Sequence, residues 1–364
     1  DREVRRLSKV TTFNGLNLLE GSKSTSSGAM LVSDAAGASS IAISADGRFR
    51  AYVSNGANVK LYDTLTSTQR TVADPTGGGV IRNVKVLANG DSVIQADNVA
   101  STATDLYYYD YASNSTRKLT DSQSSIDNGS FEVSADGSTV VFYAQTIYTD
   151  NQVADVATTS GPGAIYTIDT SSRVVRRINT TLTPTAGSSL AISANGSYVA
   201  AGAGLTEAIV SSTRGTTLNS YSVNPAGTAR FAGVNNSGQA YYSVNNTNVN
   251  MLDLQARSTQ TLKTLATHGS LKMSTDGLSI YCTSTNDLTG ENGAGNRQVF
   301  KIDTGSLEVT QLTNFTTQIP VATGVISADG GKLSYINGGT DIMDVELTPD
   351  ANYFDFEVGY GNQG

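Results

Sequence analysis

A single cysteine, Cys282, excludes any internal disulfide framework. Its setting, Ser279-Ile280-Tyr281-Cys282, reads as a strand, so the thiol is expected as a small core residue rather than a reactive group. Histidine is equally scarce. His268 stands alone in a predicted turn, His268-Gly269-Ser270, with no nucleophile motif nearby, and a triad needs a base beside a nucleophile. One Cys and one His also exclude Cys/His metal clusters, and there is no G-x-S-x-G elbow. Tryptophan is absent, so the aromatic platforms common in sugar-binding enzymes are scarce, although Tyr could substitute. No run of about 18 apolar residues exists to span a bilayer. Basic charge is in deficit, with 24 Lys and Arg against 32 Asp and Glu. The net charge of −8 disfavours nucleic-acid backbones and anionic lipid as partners. The chain starts at Asp1 with neither a Met nor a signal-like apolar segment, which reads as a fragment.

What is present points to many short strands and turns. Of the 364 residues, 38% are hydrophobic and only 15% charged, with 36 Gly. A disordered tail would need more net charge and fewer Val, Ile, Leu and Tyr. Length alone would permit two or three domains, but a repeat argues for one dominant unit. Its clearest copy is Ile43-Ser44-Ala45-Asp46-Gly47-Arg48-Phe49-Arg50-Ala51-Tyr52, a turn between two apolar runs. The turn returns at Asn89-Gly90, Asp136-Gly137, Asn195-Gly196, Ser237-Gly238, Asp276-Gly277 and Asp329-Gly330. The turn glycines are 43, 47, 59, 42, 39 and 53 residues apart. Asp-Gly or Asn-Gly between β-type runs is a strong hairpin signal, because both residues adopt positive φ cheaply. One such hairpin about every 45 residues is the signature of a β-propeller blade.

Each unit supplies four strand candidates. In the first they are Ser40–Ser44, Arg48–Ser54, Asn58–Asp63 and Gln69–Val72. The third strand recurs as Leu106–Asp110, Ile165–Asp169, Asn250–Leu254 and Val299–Asp303. Fourth strands such as Arg117–Thr120 and Val309–Thr313 follow polar turns. Alternating apolar residues are expected to stack sheet on sheet around a channel, with Tyr107-Tyr108-Tyr109 alternating between blade packing and the outside. The succession Ser-x-Asp-Gly, apolar strand, apolar-x-x-Asp strand and Leu-Thr ending resembles the TolB-type propeller repeat, most closely from Asn286 to Thr313. The last unit has Lys332–Ile336 and Asp341–Leu347 but no fourth strand, which Ala29–Ser33 can supply from the other end of the chain. A ring closed this way leaves no open sheet edge and brings both ends of the unit together.

The termini do not fit the repeat. Glu3-Val4-Arg5-Arg6-Leu7-Ser8 reads as the end of a helix, with its basic residues placed to complement the dipole. Thr11 to Gly21 follows, carrying an Asn14-Gly15 turn between apolar anchors. This stretch resembles the flagellin segment in which an inner-domain helix ends at E-(I/V)-x-R-(I/L)-(S/A), followed by T-x-F-N-G-x-x-L-L-x-G. The matching residues are Glu3, Arg6, Thr12, Phe13, Asn14, Gly15, Leu18, Leu19 and Gly21; Arg5 departs from the usual Asp. At the other end, Tyr353 to Gly364 resembles the next flagellin segment, a strand of the form F-x-F-Q-V-G-A-N-x-G. It matches through Phe354, Phe356, Val358 and Gly359, with Glu357 for Gln and Tyr360 for Ala. The resemblance implies a flagellin whose variable outer region is an inserted propeller.

Carboxylates are weighed on the same terms. Asp46, Asp136, Asp276 and Asp329 fall in turns, and Asp63, Asp110, Asp169 and Asp303 at strand ends. Turn chemistry alone predicts such periodicity, so a glycosidase pair is not indicated. Two long excursions, Gln145–Gly163 and Ser284–Arg297, both join a second strand to a third and should emerge on one face of the ring. Asp150, Asp155, Asp287, Glu291 and Asn292 there could ligate Ca²⁺, but without regular spacing they read as solvated loops. The basic runs Arg5-Arg6 and Arg173–Arg177 read as solvated surface.

The expectation is an all-β chain: residues 1–27 a flagellin-like segment, 28–350 a seven-bladed propeller of four-stranded blades closed by an N-terminal strand, and 351–364 a flagellin-like strand. From the resemblance follow a structural role in the bacterial flagellar filament, an extracellular location and other flagellin subunits as partners; the residues themselves point to no catalytic activity, cofactor or metal. The alternative is an adhesion module, a propeller that binds a glycan, peptide or host surface. Without the filament-core helices the fragment is expected to be monomeric.

Overall fold

The computed structural model describes residues 12–13, 16–17, 28–33, 37–72, 74–99, 103–120, 126–144, 164–178, 189–203, 207–213, 219–269, 271–293, 295–318 and 324–347. Seven four-stranded antiparallel sheets account for nearly all of them. Six are meanders of consecutive strands. The first is Ala38–Ile43, Phe49–Ser54, Asn58–Asp63 and Thr68–Val72, close to the expected bounds. The next five blades run from Ile81 to Lys118, Ile126 to Arg177, Ser189 to Val223, Ala229 to Thr264 and Leu271 to Gln311. The seventh takes Val325–Ile326, Lys332–Asn337 and Asp341–Glu346 from the end of the chain and Ala29–Val32 from its beginning. In that ladder Met30 faces Met343 and Val32 faces Ile342, so the N-terminal strand closes the ring as expected.

Closure is also legible in the packing. The buried apolar residues fall into seven clusters, and each joins two neighbouring blades. An open row of seven blades would have six such interfaces. The seventh cluster, between the last blade and the first, has only Tyr52 and Ile342 fully buried, with Leu31, Val32, Ala38, Ile41 and Ile336 packed around them. Among the described residues it is the thinnest of the seven in apolar terms.

Burial follows a strand's place in the blade more than strict alternation. Second strands are covered on both faces by the flanking blades, so Thr139–Ala144 and Ser279–Ser284 are buried almost throughout. Outer strands are mostly exposed, as in Thr68–Val72 and Ser115–Lys118. The tyrosine run corrects the simpler expectation. Tyr107 and Tyr109 pack toward the first blade and Tyr108 toward the third, so none faces outward. Tyr108 donates its hydroxyl to Asp91 at 2.7 Å.

The repeat turn also differs from the two-residue hairpin its Asp-Gly pair suggests. Only the glycine is left-handed: Gly47, Gly90, Gly137, Gly196, Gly238, Gly277 and Gly330 all have positive φ, whereas the residues before them do not. The glycine amide donates to the carbonyl three residues earlier, as from Gly47 to Ser44 at 3.0 Å, closing a β-turn over four residues. The serine that opens the turn has the larger role. Ser44 Oγ donates to Asp46 Oδ1 at 2.6 Å and accepts from the Phe49 amide at 2.9 Å. The same pair of bonds recurs at Ser134, Ser193, Ser274 and Ser327. These side chains replace the ladder bonds that the wider turn gives up. Gly330 adds a steric requirement, since a Cβ there would lie 1.9 Å from the Tyr281 hydroxyl of the preceding blade. Gly330→Ala is therefore expected to cost about 3 kcal/mol, combining left-handed strain with overpacking. Urea titration reads this directly; a loss below about 1 kcal/mol would show that the turn relaxes freely.

Candidate functional site

The meander sends successive connections to opposite ends of the ring. One face carries the repeat turns and the turns between third and fourth strands, and the other carries the longer loops. Aspartates on the turn face are engaged in the fold, as periodicity predicts. Asp46, Asp136, Asp276 and Asp329 each accept the amide two residues on, at 2.9–3.2 Å. Asp63, Asp110, Asp169, Asp253 and Asp303 accept amides of the following turn. Asp63 also holds Arg48 in a two-pronged pair at 2.9 and 2.7 Å. The hydrogen bond from Arg48 leads the causes that bring its carboxyl down to about 2. A depressed carboxyl stabilises the fold above its unfolded value, near 3.8, and loses that contribution as pH falls toward 2. Between pH 4 and 2, Asp63→Asn is thus expected to flatten the acid-side slope of stability. An unchanged slope in acid titrations followed by circular dichroism would contradict it.

On the loop face, the described part of the 284–297 excursion is folded by its own polar groups. Asp287 Oδ1 accepts the amides of Thr289, Gly290 and Glu291 at 3.2, 2.6 and 3.0 Å. Asn292 Nδ2 donates to the carbonyls of Thr285 and Asn296. Of the five candidate Ca²⁺ ligands, Asp287 and Asn292 are thus engaged inside the loop, Glu291 is exposed and gives its backbone amide to Asp287, and Asp150 and Asp155 lie outside the described residues. No group of three or more His, Cys, Asp or Glu close enough to share a metal occurs among the described residues. His268 lies on this face, 3% exposed, with Nδ1 2.8 Å from the Gly269 carbonyl oxygen. Cys282 is fully buried in the sixth blade, and burial pushes its thiol up to about 12, so it is the inert core residue expected.

The terminal motif residues contribute little to the described structure. Thr12–Phe13 pairs antiparallel with Leu16–Asn17 on either side of Asn14-Gly15. Glu3, Arg6, Asn14, Gly15, Leu18, Leu19, Gly21, Phe354, Phe356, Val358 and Gly359 lie outside the described residues.

The central channel forms a cavity of about 210 Å³ lined by the inner strands of all seven blades. At its turn-face mouth stand Ala45, Ala88, Ala135, Ala194 and Ala328, one from each of five repeat turns. Adjacent turns are linked there: the Asp329 amide donates to the Ala45 carbonyl at 2.9 Å and that of Asp136 to Ala194 at 3.2 Å. Three charged residues stand among the apolar side chains of the lining. Lys85, Glu132 and Lys272 each sit two residues before the first residue of their repeat turn, where other blades carry Ala42, Ala191, Gly233 and Val325. Lys85 Nζ donates to Glu132 Oε1 at 2.6 Å. Desolvation works to raise the Glu132 carboxyl, but attraction from Lys85 and Lys272 outweighs it and keeps the pKa below the ordinary value. Sequence reading passed over this trio, though a charge inside an apolar inner-strand run was a visible signal.

No protein-family model matches the chain, and no curated protein matches it. Solved structures do. A chain of the mitotic checkpoint complex aligns over 90% of this chain and 92% of its own length, with TM-score 0.57 and 13% identity. The tricorn protease aligns over 86% of this chain, with TM-score 0.59 and 14% identity, and this chain spans 33% of its length. TolB from Acinetobacter baumannii aligns over 83% of this chain and 62% of its own, with 17% identity and a TM-score of 0.45. Matches extend to 1380 solved chains, so the architecture is too widely shared to select a function. The likenesses concern the fold, and the fold is a seven-bladed β-propeller.

Proposed function

We propose that this chain is the surface-displayed part of a bacterial flagellar filament subunit, an extracellular structural protein with no catalytic role. In this reading the propeller, of the TolB repeat type, replaces the variable outer region of a flagellin. The observation that carries the reading is where the ring begins and ends. Ala29 pairs with Asp344, and Gly28 lies against the backbone of Asp344, so the chain enters and leaves the propeller side by side. An insert into a host loop needs that arrangement, because the host's two strands are neighbours before and after the insertion. The motif residues from Glu3 to Gly21 and from Phe354 to Gly359 supply the host identity, and other flagellin subunits are the partners they imply.

Two tests follow. The full-length reading frame is expected to encode helical, heptad-patterned segments on both sides of this chain; their absence would end the filament reading. The chain itself is expected to sediment as a monomer, and spontaneous long polymers would contradict it.

A further inference from the structure

We infer that the central channel is a binding site for a small organic anion with an apolar body, such as an aromatic or branched-chain carboxylate. Charge is the first argument. Lys85 and Glu132, from adjacent blades, neutralise each other at 2.6 Å. Lys272 comes from the sixth blade, across the ring from both, and its interaction with Glu132 is through space. The trio therefore carries one excess positive charge, inside a chain whose net charge is −8. Lys272 is exposed, and a ligand carboxylate would complete the trio with a charge-assisted hydrogen bond.

The wall sets the rest of the ligand. Val86, Val133, Leu190, Phe231, Met273 and Ile326 line the cavity around the charges. Apolar side chains beside a few polar groups that fix orientation are a common form of small-molecule site. An apolar cavity of about 150 Å³ holds benzene, so about 210 Å³ accommodates one ring or a branched chain together with its carboxylate. The alanines at the turn-face mouth keep that opening clear of long side chains. Such a site would exist whether or not the propeller is carried on a filament.

The test is calorimetric titration of benzoate, and of the neutral benzamide of similar shape, into the whole chain and its Lys272→Gln, Lys272→Arg and Glu132→Gln variants. Benzoate is expected to bind about tenfold more tightly than benzamide, the factor one charge-assisted contact provides. K272Q should abolish that preference, K272R should keep it, and E132Q, which frees Lys85, should widen it. No benzoate binding at millimolar concentration, equal binding of the two compounds, or a preference that survives K272Q would each overturn the assignment. Unchanged melting temperatures establish that the variants are folded, and E132Q and K272R carry the test if K272Q is not.

Discussion

Replacing Arg50 with alanine is expected to destabilise the chain by about 3–5 kcal/mol, the usual result of breaking a buried ion pair from one side. Arg50 is 0% exposed, on the second strand of the first blade. Its guanidinium reaches the last blade, donating from Nη2 to Asp344 Oδ2 at 2.6 Å and from Nε to Asp344 Oδ1 at 3.0 Å. Nε also lies 2.6 Å from Ser334 Oγ, and Nη1 donates to the Gly47 carbonyl at 2.5 Å. The Asp344 side chain is only 14% exposed and accepts the Ser334 hydroxyl as well. This network crosses the seam where apolar packing among the described residues is thinnest, so it bolts the ring where that packing contributes least. Alanine would leave Asp344 without its cation in a site that water hardly reaches. For a chain of this size the loss corresponds to a fall in Tm of roughly 5 °C. The double variant Arg50→Met with Asp344→Leu removes both charges together and is expected to recover most of the loss. If R50A and the double variant melt alike, the ion pair is not what the seam depends on.

Removing the closing strand should cost more. Deletion of residues 1–33 takes away the ladder to Asp341–Glu346 and the Leu31 and Val32 contacts of the seam cluster. Ile342, fully buried in the intact ring, would then border an open strand edge. Unpaired edges with apolar flanks invite association between copies. The expected result is a Tm fall larger than that of R50A, aggregation on heating, and proteolytic cleavage that begins in the last blade. Deletion of residues 1–27 keeps the strand and is the control. Equal behaviour of the two deletions would mean that Ala29–Val32 does not hold the ring shut.

The parts of this fold legible in the sequence were those with a local chemical cause. Each repeat turn needs a left-handed residue, and glycine marks that position visibly from Gly47 to Gly330. Blade seven was readable by subtraction, since Asp341–Glu346 lacked a partner that Ala29–Val32 could provide. What could not be read depends on contacts between distant residues. Arg50 and Asp344 are 294 residues apart, and neither lies in a pattern that predicts the other. The channel charges are likewise ordinary in sequence, because Lys85 and Lys272 acquire a shared site only once seven inner strands meet on one axis. The turn serines were visible as part of a pattern, but their double hydrogen bond becomes apparent only when the hairpin is seen to span four residues.

The claim on which the filament reading depends is that the chain enters and leaves the ring at one place. Ala29 and Glu346 are both exposed, and buried Cys282 does not compete for thiol-directed labels. Spin labels at Ala29→Cys and Glu346→Cys are expected to give one narrow distance distribution at about 20 Å or less, the reach of two labels on neighbouring strands. A broad distribution without that short component would mean that the ring is open and that the two exits do not share a host loop.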